Sequence, residues 1–257
     1  MAAFADHFSA TATSYSQFRP GYPAELFHYL AGLCPAHERV WDCATGSGQS
    51  AQQLTNYFDT VIASDASFEQ VHNAQAVEGV FYLNSLAEQT PFRDGSFDLI
   101  SVAQALHWFE LDRFYPEVSR ILKPQGLLAV WTYNLMQINP ALDRIVWHLY
   151  NDVLGNYWPF ERRLVENAYR DLYFPFIEKD TPEFVMQSDW SFQHLLGYLS
   201  TWSAVKRYRA DNQSDPIIAI ESQLQSAWGH ETHHKVRWPL TVKVASLGEC
   251  KDYPLSK

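Results

Sequence analysis

Two carboxylates and two glycines near the start of the chain are spaced as a ligand-binding turn requires. In RVWDCATGSGQS, residues 39–50, a short apolar run ends at Asp42 and Cys43, small residues including Gly46 and Gly48 follow, and a helix opens near Gln49. Glycines there let the backbone approach a ligand, and N–H groups at a helix start favour a polar or anionic one. The segment TVIASD, 60–65, reads as a second buried strand ending in Asp65, the position from which a doubly wound fold reaches ribose hydroxyls. The turn is therefore expected to hold a nucleoside-bearing cofactor.

Two cofactors compete for it: a nicotinamide dinucleotide, held through its pyrophosphate, and S-adenosylmethionine (SAM), which has no phosphate. The dinucleotide pattern G-x-G-x-x-G is met only loosely, because Ala51 stands at its third position. Asp42, just before the loop, would repel a pyrophosphate and suits the ammonium and sulfonium charges of SAM.

Asp42, Gly46 and Gly48 resemble the D-x-G-x-G-x-G motif of class I SAM-dependent methyltransferases (the type 11 domain), with Ala44 at the first glycine. Alanine allows close approach there if its φ is negative. The segment SLAEQTPFRDGSFDLISVAQALHWF, 85–109, resembles the family's adenine-contacting loop, fourth strand and strand exit, and RILKPQGLLAVW, 120–131, its Lys-Pro-x-Gly turn and fifth strand. FSATATSYSQFRPGYP, 8–23, and GYLSTWSAVKRYR, 197–209, look like a narrower small-molecule branch that includes trans-aconitate methyltransferases.

The resemblance covers roughly residues 1–135 and implies an α/β, Rossmann-like, seven-stranded and mostly parallel sheet with helices on both faces and a helical cap. It implies SAM as cofactor, S-adenosylhomocysteine as product, and a cofactor site at Tyr15, Arg19, Asp42, Ala44, Gly46, Gly48, Asp65, Ala66, Leu86, Ala87, Ala103 and Gln104. Leu86 stands where many relatives have an Asp for the adenine amino group, so adenine recognition is expected to rest on backbone and apolar packing. The acceptor is expected to be a small molecule methylated on a carboxylate or hydroxyl oxygen. The alternatives are a macromolecular methyltransferase, a nicotinamide-dependent oxidoreductase and a non-catalytic SAM-binding protein.

The exit of the fourth strand holds the candidate chemistry. A carboxylate acceptor needs no base; a hydroxyl would, and His107 is the imidazole near the expected methionine end of the cofactor. A structural histidine is the competing role. Arg19 could pair with the carboxylate of the cofactor or the acceptor, with Tyr22 beside it. Trp108, Tyr133, Trp147 and Trp202 are expected to line the acceptor cavity, with Tyr150, Trp158 and Tyr169 as further candidates, although helically spaced aromatics are more often core.

The elements that must position these residues alternate. Strands are expected near 39–43, 60–65, 80–85, 97–103 and 126–133, with helices between, which predicts a parallel sheet covered on both faces. Beyond them, 140–173 reads as helical, 183–190 as a strand, 191–208 and 216–228 as helices and 236–245 as a strand. The resemblance implies that this last strand runs antiparallel between the fifth and sixth. One domain is expected over 1–257, with a core of about 36–134 plus strands in about 183–245, a lid over about 1–30 and a cap over about 135–180.

Composition bounds the partners. Hydrophobic residues make up 47% of the 257, enough for an ample core. Nineteen basic against 29 acidic residues leave a net charge of −10, which argues against nucleic acid. Arg162 and Arg163, and Lys206, Arg207 and Arg209, could form local basic patches, although solvated helix faces explain most such runs. Cys34, Cys43 and Cys250, without CxxC spacing, fit reduced thiols, and neither a signal peptide nor a membrane span is read, so a cytoplasmic protein is expected. HETHH, 230–234, satisfies H-E-x-x-H literally, but no long apolar helix carries it, so no metal is expected.

Overall fold

Strand β1 (Arg39–Cys43) shows how the sheet is built. Val40 enters one apolar cluster and Trp41 the other, because successive side chains of a strand point to opposite faces. The same alternation runs through β4 (Phe97–Ala103), where Leu99 and Ile100 part company, and β5 (Leu122–Tyr133), where Ala129 and Trp131 oppose Leu128 and Val130. Both faces are therefore covered, as parallel strands require. The computed structural model describes residues 18–247, so Tyr15 and Cys250 lie outside the described residues.

The sheet order is β3-β2-β1-β4-β5-β8-β6, with β2 (Thr60–Asp65), β3 (Val80–Asn84), β6 (Ile177–Lys179) and β8 (His234–Ser246). Strands β1 to β5 pair in parallel, and β8 runs antiparallel to β5, as expected. Among the described residues the sheet has eight strands rather than seven. The far edge of β8 is shared, its start by β7 (Phe184–Trp190) and its end by the short β6. A three-residue exposed strand such as β6 carries too little pattern to be read from sequence.

One face is covered by α1 (Ala24–Leu33), which buries Leu26, Phe27 and Leu30, and by α2 (Gln49–Leu54). The other packs against α4 (Leu111–Ile121) through Phe114, Val118 and Ile121; α3 (Phe68–Asn73), capped by the Ser67 hydroxyl, buries none of its residues. Strand β5 begins at Leu122, before the expected 126: Lys-Pro-Gln-Gly is a bulge inside it, where the register with β4 jumps. Lys123 of that bulge donates at 2.8 Å to the buried Asp98, which also accepts from the N–H groups of Glu38 and Arg39. The bulge thus ties β5 to the start of β1.

A third cluster joins α5 (Pro140–His148), α7 (Phe192–Ser200), α8 (Ser203–Asn212) and α9 (Pro216–Trp228) to β7 and the first half of β8. The continuous helix expected over 140–173 is broken. Helix α5 runs into a wide turn at Leu149–Val153, and α6 (Arg162–Glu166) starts only after Gly155 and Pro159, residues that disfavour a helix interior. The helix expected over 191–208 is likewise two, parted at Thr201 and Trp202. The HETHH segment is a turn running into β8, not a helix, and no metal-binding cluster occurs among the described residues. Cys34 and Cys43 are buried and unbridged.

Candidate functional site

Strands β1 and β4 are neighbours with Cys43 opposite Val102, so the turn after β1 and the exit of β4 leave the sheet side by side. The turn is held by its own acids. Asp42 is 1% exposed and accepts from the hydroxyls of Thr45 and Ser101, the latter at 2.7 Å. Burial pushes its pKa up to about 6 against the pull of those hydrogen bonds, and nearby Asp65 adds to the rise. Asp65 accepts from the N–H of Gly46 and the N–H of Ser67, each at 2.9 Å, and so binds the turn to the end of β2.

Backbone angles separate the small residues of this turn. Gly46 has φ +57°, and a Cβ placed there meets nothing within 4 Å, so this glycine borders open space. Gly48, at φ +85°, differs: a Cβ there would fall 2.5 Å from the Tyr82 hydroxyl. Ala44 has φ +55°, which corrects the expected negative angle; an L-residue holds this left-handed conformation at a cost of about 1–2 kcal/mol. Ala66 follows Asp65 directly, Ala87 is buried, and Leu86, bridged to Gln89, is 45% exposed.

At the exit of β4, Gln104 is also left-handed, at φ +56°. Its N–H donates to the Trp131 carbonyl, its Nε2 donates to the Tyr133 carbonyl at 2.9 Å, and its Oε1 accepts from the Thr132 hydroxyl. Such conformations persist where neighbours over-determine them and cluster at functional sites. Past Ala105 a short turn, Leu106–Trp108, presents His107, whose Nδ1 lies 2.9 Å from the Tyr169 hydroxyl. Enclosure and then the positive charge of Arg162 push the pKa of His107 down to about 3.

A pocket opens beside these residues. Gln104, His107, Trp108, Tyr133 and Asn134 line it together with Arg19, Trp158, Arg162, Tyr198, Trp202 and Lys206. Arg19 donates to the Tyr133 hydroxyl at 3.1 Å and lies 5.0 Å from the Tyr198 ring centre. Arg162 donates to the Tyr150 hydroxyl and to Asn134 and stacks over Trp158. Burial, with Arg19 and Arg209 close by, lowers the pKa of Lys206. Among the described residues the lining includes no Asp or Glu.

Several expectations need correction here. Trp147 is 52% exposed and does not reach the pocket. Tyr150 and Tyr169 are buried behind the wall, the first under Arg162 and the second under His107. Of the two basic runs, Arg162 and Lys206 face the pocket, whereas Arg163, Arg207 and Arg209 are not in its lining. Tyr198 and Thr201 were not anticipated, although Tyr198, Trp202 and Lys206 recur at a spacing of four, the stripe a helix would show.

Comparison with known proteins shows the family to which this fold belongs. Residues 41–130 match the family model described as a methyltransferase domain. A protein of Dictyostelium discoideum named as a methyltransferase is 34% identical over 229 residues, 88% of this chain and 87% of its own. A Saccharomyces cerevisiae protein named as an S-adenosylmethionine-dependent methyltransferase is 23% identical, over 80% of this chain and 83% of its own. The solved structure of a protein described as a type II methyltransferase from Anaeromyxobacter dehalogenans superposes with a TM-score of 0.84 at 38% identity, covering 89% of this chain and 97% of that one.

Proposed function

Because this chain belongs to the class I S-adenosylmethionine-dependent methyltransferases, we propose that it moves the SAM methyl group to a carboxylate oxygen of a small anionic molecule, giving a methyl ester. The observation that carries this reading is the charge of the pocket: Arg19, Arg162 and Lys206 line it with no carboxylate among the described lining residues. Three cations in a partly dry pocket keep an acid ionised, and guanidinium groups can hold it in a fixed orientation.

The residues around the turn fit SAM in type and charge. Gly46 borders open space, Asp65 stands at the end of β2 where ribose hydroxyls would be accepted, and Asp42 is a buried anion near a site for a cation. SAM supplies a methyl group on a sulfonium, and the chain's part is to orient the acceptor oxygen and exclude water. Arg19 and Arg162 would hold the acid, and Trp108, Trp158, Tyr133 and Trp202 would shield it. His107, with its pKa near 3, is too weakly basic to deprotonate a hydroxyl efficiently near neutral pH, which favours an acceptor that arrives ionised. Methylation removes the charge that the pocket recognises, so the ester is held less tightly than the acid.

The test is methyl transfer from labelled SAM to a panel of small mono- and dicarboxylic acids and phenols. Turnover of acids, weakened mainly through KM in Arg162→Met, is the expected result. Turnover of phenols but of no acid would overturn the carboxylate assignment. Among the described residues no helix is long and apolar enough to cross a membrane.

A further inference from the structure

Arg162 and Glu166 open and close α6, one helical turn apart, a spacing at which opposite charges ordinarily pair. Here they do not. Among the described residues Arg162 forms no ion pair, and the Tyr150 hydroxyl is bonded to both side chains instead: it accepts from Arg162 Nε at 2.9 Å and donates to Glu166 Oε1. The sense of both bonds follows from the groups. A guanidinium can only donate and a carboxylate can only accept, so the single phenol proton goes to Glu166.

Tyr150 is held there from several sides. Its buried ring packs on Trp158 and, edge-on, against Trp202, with ring centres 4.7 and 5.8 Å away, and its carbonyl accepts from Trp158 Nε1 at 3.0 Å. Burial, opposed by Arg162 and helped by the bond to Glu166, pushes the pKa of the hydroxyl up, so it keeps its proton. Arg162 is fixed in turn by Asn134, whose Oδ1 accepts from Nη2 at 3.0 Å, and by the Trp158 ring, 5.2 Å from its central carbon. Its printed side-chain partners are therefore neutral. Of its five N–H groups, both on Nη1 and one on Nη2 have no partner among the described residues, and Arg162 lines the pocket.

We propose that Tyr150 is a positioning residue that keeps Arg162 and Glu166 apart: its hydroxyl takes the place of a direct ion pair, so Arg162 meets the pocket with its charge uncancelled and three donors left for an anion. A phenol oxygen satisfies Nε without a countercharge, and the proton it gives to Glu166 holds that carboxylate one hydroxyl away. The use of the free donors rests on the acceptor reading above; the separation of the two charges does not.

The Nε–H signal of Arg162 in nitrogen-15 NMR spectra of the ligand-free protein, assigned by its loss in Arg162→Met, tests the separation. Tyr150→Phe keeps the ring and removes the hydroxyl. Glu166 should then close on Arg162 and move the Nε proton downfield, as bonding to a carboxylate does, and Tyr150→Phe/Glu166→Gln should lose that shift. Glu166→Gln alone should leave the signal in place, because the amide oxygen still accepts the Tyr150 proton. Succinate, titrated into each protein, is the anion probe: its affinity should fall roughly tenfold or more in Tyr150→Phe, about the worth of one charge-assisted hydrogen bond, and return to within about threefold of the parent in the double variant. A hydroxyl that served only the packing of the cap would not be rescued by a change at the exposed Glu166. An unmoved signal in Tyr150→Phe, a downfield shift that survives in the double variant, or a shift in Glu166→Gln alone would overturn the proposal. Succinate that leaves the parent spectrum unchanged would instead count against the carboxylate acceptor, while the ligand-free spectra still decide the role of Tyr150.

Discussion

A Cβ at Gly48 would fall 2.5 Å from the hydroxyl oxygen of Tyr82, a residue of β3 two strands away from β1. Gly48 begins α2, and its freedom serves the approach of that helix to the sheet as well as the shape of the turn. The loss in Gly48→Ala should accordingly have two parts: the left-handed angle, about 1–2 kcal/mol, and the collision with Tyr82. In a double-mutant cycle read by denaturant unfolding, Tyr82→Phe should recover part of the loss and leave the angle term. Strict additivity of the two substitutions would show that the collision is relieved at no cost.

Asp42 should make SAM binding pH-dependent. Its folded pKa, near 6, lies above the usual unfolded value near 4, so its protonated form favours folding: stability is full below pH ~4 and declines as pH rises from ~4 to ~6, by about 3 kcal/mol in all. Asp42→Asn should therefore be more stable than the parent at pH 7. Calorimetry should find SAM affinity about tenfold lower at pH 5 than at pH 7, because the carboxylate that meets the cation is protonated there. In Asp42→Asn binding should be weak at both; a parent affinity equal at the two pH values would separate Asp42 from the cofactor.

Asp65→Ala should weaken SAM by on the order of a hundredfold or more, since two charge-assisted hydrogen bonds to ribose are each worth roughly 1.5–3 kcal/mol. The same carboxylate holds the N–H groups of Gly46 and Ser67, so the melting temperature of the unliganded protein should fall as well. An affinity within threefold of the parent, measured by calorimetry, would exclude a role in holding the ribose.

His107 should leave no imprint near the ordinary imidazole pKa. With its pKa near 3, the rate at saturating carboxylate should show no limb at pH 6–7, and His107→Gln should lower it by less than about tenfold, short of the 10²–10⁴ typical of a lost base. The stability effect has the opposite sign to that of Asp42. A histidine whose folded pKa is depressed supports the fold above the unfolded value of ~6.5 and loses that support as pH falls toward 3. Acid unfolding of His107→Gln should thus be shifted to lower pH.

The sheet and its turn were legible because their signals are local: Val40 to Gly48 and Val61 to Asp65 each state strand, acid and loop within a few residues. The turn's strain was not, since Ala44 reads as an ordinary small residue and only the backbone shows it left-handed. The acceptor wall was harder still. Arg162 and Lys206 look like surface charges until Trp158, Tyr198 and Trp202 fold around them, and the pairing of His107 with Tyr169 joins residues 62 apart in sequence. Trp147 could not be told from the aromatics that line the pocket by its type, and the structure leaves it half exposed and away from the lining.

Strand β8 has implications for the order of assembly. Val236 and Trp238 belong to the helical cluster around α5, α7 and α9, whereas Val242 and Val244 belong to the cluster under α1 and α2, and Leu240 touches both. Residues 234–246 follow every other described element along the chain, yet they sit inside the sheet between β5 and its far edge. Neither cluster can close until this stretch has left the ribosome and inserted. During synthesis the exposed edge of β5 is thus a transient liability for mispairing, and contacts this distant in sequence make slow, late insertion the step that a chaperone would most help.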